Sequence, residues 1–322
     1  LNAEKRIVEL LSGRREEGIL QSEIVRILGL SKSTVSEILR RLEEGGVIVR
    51  ERVAGKSMRV WLSEFYPKPV RGLMRVGVLR ASEYPHVLLA CEDFGAKIKV
   101  FDSAIDLTRA LAFGSIDLGV SPFVTQTLFA LTLRSIRIHR IVAYNGSGVV
   151  MKKELKVCKS FATSELSAME SNLKLFLDRI GVSDVKFKYF SSPESMMDGF
   201  RRCEFDAMAI WEPYFTMMKD YPRMEFKEII GDFPCCSIAS NVQFTEEDLL
   251  ESFLRSLKGY AKEFDKKKGA EIVSRIMGFD EAIVLESFDS YRFSADPCDF
   301  EFLENYGLKL TKETIERISQ PL

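Results

Sequence analysis

Histidine is nearly absent: His86 and His139 are the only two in 322 residues, which excludes a histidine-rich metal centre. The six cysteines, Cys91, Cys158, Cys203, Cys235, Cys236 and Cys298, contain no CxxC pair. Adjacent Cys235 and Cys236 are poorly placed to bond each other, so the expectation is reduced, mostly buried thiols in a cytoplasmic protein. No apolar run approaches the roughly 18 residues that a membrane span needs. The opening stretch LNAEKRIVELL is amphipathic and lacks the pattern of a secretory leader. Neither sign of charge dominates, with 46 basic against 47 acidic residues, so net charge alone gives no sign of a nucleic-acid partner. No acid–base pair and no lysine site for a cofactor stands out. The chain is therefore expected to be no enzyme, with no cofactor and no metal.

What is present is unevenly placed. The chain is too long for one small core, and two or three units are expected. Residues 1–62 hold twelve Lys and Arg against nine Glu and no Asp, a net +3. The remainder is mildly acidic. A small basic unit is thus joined to a larger acidic one.

In the first unit Ile7, Val8, Leu10 and Leu11 recur at helical spacing, and the helix ends near Gly13. Ser22 is expected to cap a second helix carrying Ile24, Val25, Ile27 and Leu28, with Gly29 as the turn. Ser31 or Lys32 opens a third, with Val35, Ile38, Leu39 and Leu42 on one face and Gly45–Gly46 as its stop. Two helices around a glycine turn are the helix-turn-helix layout. VIVRERV (Val47–Val53) and MRVWL (Met58–Leu62) then alternate apolar and charged residues around an Ala54–Gly55–Lys56 turn, which predicts a hairpin wing.

The run LSKSTVSEILRRLEEGGVIVRERVAGKSMRVWLSE resembles the MarR-like winged helix-turn-helix family over residues 1–63. The expected contacts to double-stranded DNA are Ser31, Lys32, Ser33, Thr34, Ser36, Arg40 and Arg41 on the third helix, and Arg50, Arg52, Lys56 and Arg59 on the wing. The alternative for each is a solvated surface charge. One helix-turn-helix covers one half-site, so a homodimer is expected.

Residues 64–73, with two prolines, read as a semi-rigid linker. From residue 74 to 322 strands and helices alternate in two successive sets, before and after Gly146–Gly148. This predicts mostly parallel α/β sheets in two lobes, lobe I near 74–145 and 240–322 and lobe II near 149–235. Beyond Thr245 the chain reads as mainly helical. Crossings between the lobes are expected near 145–149 and 233–240, with a ligand cleft between the lobes.

IDLTRALAFGSIDLGVSPF and SSPESMMDGFRRCEFDAMAIWEPYF resemble the type 2 periplasmic substrate-binding proteins, in the branch serving sulfonate, nitrate and thiamine-pyrimidine uptake. Asp117 and Asp206 stand at equivalent positions of that pattern. The resemblance implies hinge closure around a small molecule, and the effector is expected to be a sulfonate, a thiamine-pyrimidine-like compound or another small aromatic or anionic ligand. The expected ligand residues are Ser82, His86, Ser121, Tyr144, Asn145, Thr163, Ser164, Trp211 and Glu212. Thr163 and Ser164 would present backbone N–H groups at a helix start, and Trp211 and Tyr144 would sandwich a ring. The alternatives are core packing for Trp211, a local hydrogen bond for His86 and a turn role for Ser121. Together the parts suggest a ligand-responsive transcription regulator. The alternatives are a thiamine-pyrimidine-synthase-like enzyme, whose family carries a longer cysteine run where this chain has FPCCSIASN, and a solute-binding receptor.

Overall fold

The computed structural model describes residues 2–319. It begins with α1 (Ala3–Arg14), β1 (Ile19–Leu20), α2 (Gln21–Leu28), α3 (Lys32–Glu44), β2 (Ile48–Ala54) and β3 (Ser57–Leu62). The strands pair antiparallel in the order β1-β3-β2. Ile7, Leu11, Ile24, Val35, Ile38, Leu39, Ile48 and Val60 form the core of this unit, which is why the helical periodicity was visible in sequence. Ser31 caps α3, its Oγ accepting from Thr34 N at 3.1 Å. Ser22 does not cap α2: it lies inside the helix, and Glu23 reaches back to accept from Leu20 N at 3.2 Å. Gly18 has φ +58°, and a Cβ there would lie 2.5 Å from Trp61 Nε1, so this turn needs glycine.

Lobe I opens with β4 (Arg75–Leu79), α4 (Pro85–Asp93), β5 (Lys97–Phe101), α5 (Ala104–Ala112), β6 (Leu118–Pro122), α6 (Phe123–Leu133) and β7 (Ile136–Asn145). Gly146 then carries the chain into lobe II: β8 (Ser147–Met151), β9 (Ser160–Thr163), α7 (Ala168–Arg179), β10 (Lys186–Tyr189), α8 (Pro193–Arg201), β11 (Ala207–Trp211), α9 (Tyr214–Met217), β12 (Arg223–Glu225) and α10 (Lys227–Ile230). The chain returns through residues 231–233 to β13 (Pro234–Asn241), α11 (Glu247–Lys262), α12 (Lys266–Met277), α13 (Glu281–Ser287), β14 (Tyr291–Asp296) and α14 (Lys312–Ser319).

The lobe I sheet has the order β14-β7-β13-β6-β4-β5 and the lobe II sheet β10-β9-β11-β8-β12. The sheets are mixed rather than mostly parallel. β5, β4 and β6 run parallel, as do β10, β9 and β11, because helices cross between them. β7, β8, β12, β13 and β14 pair antiparallel, because β7 runs into β8 and β13 returns from lobe II without a crossover helix. β13 belongs to lobe I, so the second crossing precedes Pro234. β14 lies in a region that reads as mainly helical: its pattern is interrupted, and β7 supplies the missing pairing. Residues 155–160, strand-like in sequence, begin with a single helical turn, and β9 starts only at Ser160.

The linker is fastened to lobe I. Arg75, buried, donates to Asp117 through Nε at 2.9 Å and Nη2 at 2.8 Å, and to the carbonyls of Tyr66 and Lys68. Gly72 N donates to Glu246 Oε1 at 2.6 Å. On the other side Tyr66 Oη and Lys68 Nζ donate to Glu51 of β2 at 3.1 and 2.6 Å, and the Tyr66 ring packs edge-on against Trp61 of β3. The linker therefore holds both the wing and lobe I.

Candidate functional site

A cavity of about 350 Å³ lies between the lobes. Leu79, Ala81, Tyr84 and Pro122 line it from lobe I, Met169, Tyr189, Phe190 and Trp211 from lobe II. The N-termini of α5 and α7 reach it from opposite lobes: Ser103 caps α5, Ser167 caps α7, and both line the cavity with the first helical residues behind them. Exposed N–H groups at such ends favour negative charge. Among the described residues no Lys or Arg lines it; Asp102 does, and Arg80 holds it at 2.7 Å. Trp211 bridges the lobes, its Nε1 donating to Arg80 O at 3.2 Å.

Of the nine ligand residues expected from sequence, Ser164 and Trp211 line the cavity. The other seven do not, and each has a physical reason. α7 begins at Ala168 rather than directly after Ser164, so Thr163 stays at the end of β9, buried, and its Oγ1 has no hydrogen-bond partner among the described residues. Ser164 contributes through its side chain, which shares a hydrogen bond with Ser167 Oγ at 2.8 Å. Ser82 accepts from Ser287 Oγ at 2.7 Å and Ser121 shares a 2.9 Å bond with Thr108, both fully buried. Tyr144 lies under the Arg292 guanidinium at 3.6 Å. Asn145 is a hinge residue at φ +68°, donating to Asp232 and accepting from Phe233 N across the two crossings. Glu212 is buried and accepts from Thr216 N, Thr216 Oγ1 and Ser290 Oγ. His86 is fully buried beside Phe293, and among the described residues neither ring nitrogen has a well-formed hydrogen bond. Burial holds its pKa down to about 4, opposed by the nearby backbone of Val142 and Ser294.

Sequence reasoning missed the cavity floor. Glu83, Cys235 and Cys236 all line it, all buried. Cys235 donates to Glu83 Oε2 at 3.4 Å, and Tyr84 Oη lies 3.5 Å from Cys236 Sγ. Burial raises the Glu83 carboxyl to about 7, opposed by the neighbouring Cys236, Cys235 and Tyr84. Neighbouring strand residues ordinarily face opposite sides of a sheet. Here the pairing of β13 with β7 slips between Pro234 and Cys236 and again between Cys236 and Ser237, turning both thiols to the cavity. No spacing rule in the sequence signals that slip. Asp206, by contrast, is structural: burial is overcome by Lys153 and by the N–H groups of Lys159 and Ser160, which hold its carboxyl down to about 2.

The second site is the outer face of α3 and the wing. Ser31, Lys32, Ser33, Thr34, Ser36 and Arg40 are exposed on α3, and Arg52 and Lys56 on the wing. Four of the expected cations are engaged within the protein. Arg50 pairs with Glu43, Arg41 with Glu4 at 3.5 Å and Arg40 with Glu44 at 4.0 Å, and Arg59 donates to Glu17 O at 2.7 Å. Arg50 is mostly buried, so it ties β2 to α3 rather than standing free for a phosphate. Among the described residues Lys32, Arg52 and Lys56 have no such ties and are exposed.

The sequence of residues 3–56 matches the MarR family. The chain carries a MarR-family domain at its N-terminus. The MarR-family domain covers the helices and the first wing strand found above. The rest of the chain has the two-lobe fold of periplasmic binding proteins. It is similar to the ligand-binding component of an ABC-type import system from Staphylococcus aureus, solved with zinc bound, at 12% identity and TM-score 0.65, covering 77% of this chain and 99% of that one. The alkanesulfonate-binding protein SsuA from Xanthomonas axonopodis pv. citri, bound to MOPS, matches at 19% identity and TM-score 0.59, over 74% of this chain and 90% of that one. A conserved Candida albicans gene product with the generic periplasmic binding protein fold matches at 13% identity and TM-score 0.58, over 76% and 94%. These identities establish fold, not ligand. No curated protein matches the sequence. Among the described residues no helix is long and apolar enough to cross a membrane.

Proposed function

We propose that this chain is a ligand-responsive transcription regulator rather than an enzyme: its MarR-family domain binds duplex DNA as a homodimer, and a small molecule in the interlobe cleft controls that binding. The observation that carries the reading is the linker. Its Tyr66–Lys68 segment is bonded to Glu51 of the wing and to Arg75 of lobe I at once. A rearrangement of lobe I on closure is thereby delivered to the wing, and a ligand preferring the closed lobes shifts the population of one DNA-binding geometry.

The cavity supports a planar aromatic effector with a polar or weakly anionic group. Trp211 and Tyr189 line it with aromatic rings, two helix N-termini reach it, and the described lining holds no cationic side chain for a strong anion such as a sulfonate. The test selects a binding site from a random duplex library with the full chain, then measures its affinity with and without small molecules that raise the thermal midpoint. An effector that shifts DNA affinity at least about fivefold supports the coupling. Effectors that bind the cleft and leave DNA affinity unchanged overturn it.

A further inference from the structure

The cleft floor has the dimensions of a metal site. Glu83 Oε2 lies 3.4 Å from Cys235 Sγ, the two sulfurs are 3.8 Å apart, and all three donor groups lie within 4.8 Å of one another. A tetrahedral zinc ion, about 2.3 Å from sulfur and about 2.0 Å from oxygen, sets two sulfurs about 3.8 Å apart and sulfur and oxygen about 3.5 Å apart. Both separations agree. Glu83 is only 2% exposed, and its other oxygen, Oε1, accepts no hydrogen bond from the described residues although it is buried. Such a group ordinarily has a partner. Two adjacent buried thiols can be plain packing; a packed core does not explain a strand slip that turns both toward a carboxylate with an unfilled oxygen.

We propose that Glu83, Cys235 and Cys236 bind a zinc ion whose fourth position opens on the cavity, where it takes a carboxylate, thiolate or ring-nitrogen donor of the cleft ligand. Two thiolates and a carboxylate suit this borderline-soft ion. Binding releases the thiol protons to solvent and involves no redox change. Tyr84 Oη, hydrogen-bonded to Cys236 Sγ, holds that sulfur in place. The site stands independently of whether the cleft controls DNA binding.

The test titrates the reduced, chelator-treated full chain with Co²⁺ and then Zn²⁺. The expected result is one Co²⁺ per chain with thiolate-to-cobalt charge-transfer absorption and tetrahedral visible bands, bleached by one equivalent of Zn²⁺. Cys235→Ser and Cys236→Ser each weaken Zn²⁺ by at least about 100-fold, and Glu83→Gln by at least about 10-fold, since loss of an outer-shell partner alone costs about 10–100-fold. Cys203→Ser, at an exposed thiol, changes nothing. Metal-free thermal melts check the fold, and Cys→Ala replaces any serine variant that melts early. Absence of thiolate bands in the wild type overturns the proposal, as does survival of the bands in the Cys235/Cys236 double variant.

Discussion

Arg75 and Asp117, 42 residues apart, form a buried ion pair, and the same guanidinium donates to the linker carbonyls of Tyr66 and Lys68. One side chain thus closes the start of β4 onto the start of β6 and fixes the path of the chain arriving from the wing. Asp117→Asn leaves that buried cation uncompensated. It should cost about 3–5 kcal/mol of stability in urea unfolding. A loss below about 1 kcal/mol, the size of an exposed pair, would contradict this role.

The two lobe crossings respond differently to a methyl group. Gly146 and Gly231 both have positive φ, +75° and +76°. A Cβ on Gly231 meets nothing within 4 Å, whereas one on Gly146 runs into the Tyr291 ring. Gly231→Ala should cost only the backbone strain, about 1–3 kcal/mol. Gly146→Ala should cost more, and it displaces Tyr291, whose hydroxyl donates to Glu212 O at 3.3 Å. Equal losses in chemical denaturation would place the Tyr291 contact outside the hinge.

Acid should destabilise the protein through its two imidazoles. Burial holds His86 at about 4, and burial with Arg140 and Arg137 holds His139 at about 4, against 6.5 in a free chain. The native state keeps both rings neutral while the unfolded chain protonates them. Their favourable contribution is therefore complete above pH about 6.5 and is lost as pH falls toward 4, up to about 3 kcal/mol each. With only two histidines, NMR should show two imidazole signals, neither titrating between pH about 5.5 and 8. A signal moving near 6.5 would contradict the burial.

The wing cations should separate into two kinds. Arg52→Ala and Lys56→Ala each remove an exposed, unengaged charge and should flatten the salt dependence of DNA binding by about 0.9 in log–log slope. Arg50→Ala should leave that slope unchanged and instead lower stability by about 1 kcal/mol, because Arg50 is occupied by Glu43. Salt titrations of the three variants, with urea unfolding of each, decide between phosphate contact and scaffold.

The two tryptophans report the two sites apart. Trp61 lies in the wing and Trp211 in the cleft wall. Trp61→Phe should retain an emission change when the cleft fills, and Trp211→Phe should lose the cleft part of that change along with part of the ligand affinity. A response that follows Trp61 alone would move the ligand away from the cleft.

Much of the architecture was legible because local patterns carry it. Apolar spacing marked α3, and alternation marked the wing strands β2 and β3. The cleft residues were less legible. Choosing Thr163 rested on a helix start at Thr163 and Ser164, yet Ser167 caps α7. Choosing Tyr144 and Glu212 rested on strand-end loops, yet pairing with Arg292 and Thr216 turned them aside.

By itself the sequence determined the order of elements and the presence of a basic winged helix before two α/β lobes, because periodicity of 2 and 3.6 is a property of neighbouring residues. Only the tertiary structure decided which side chains share the cavity. That depends on register between strands distant in sequence, and the slips in β13 on either side of Cys236 set Cys235 and Cys236 beside Glu83, 152 residues away from the first of them.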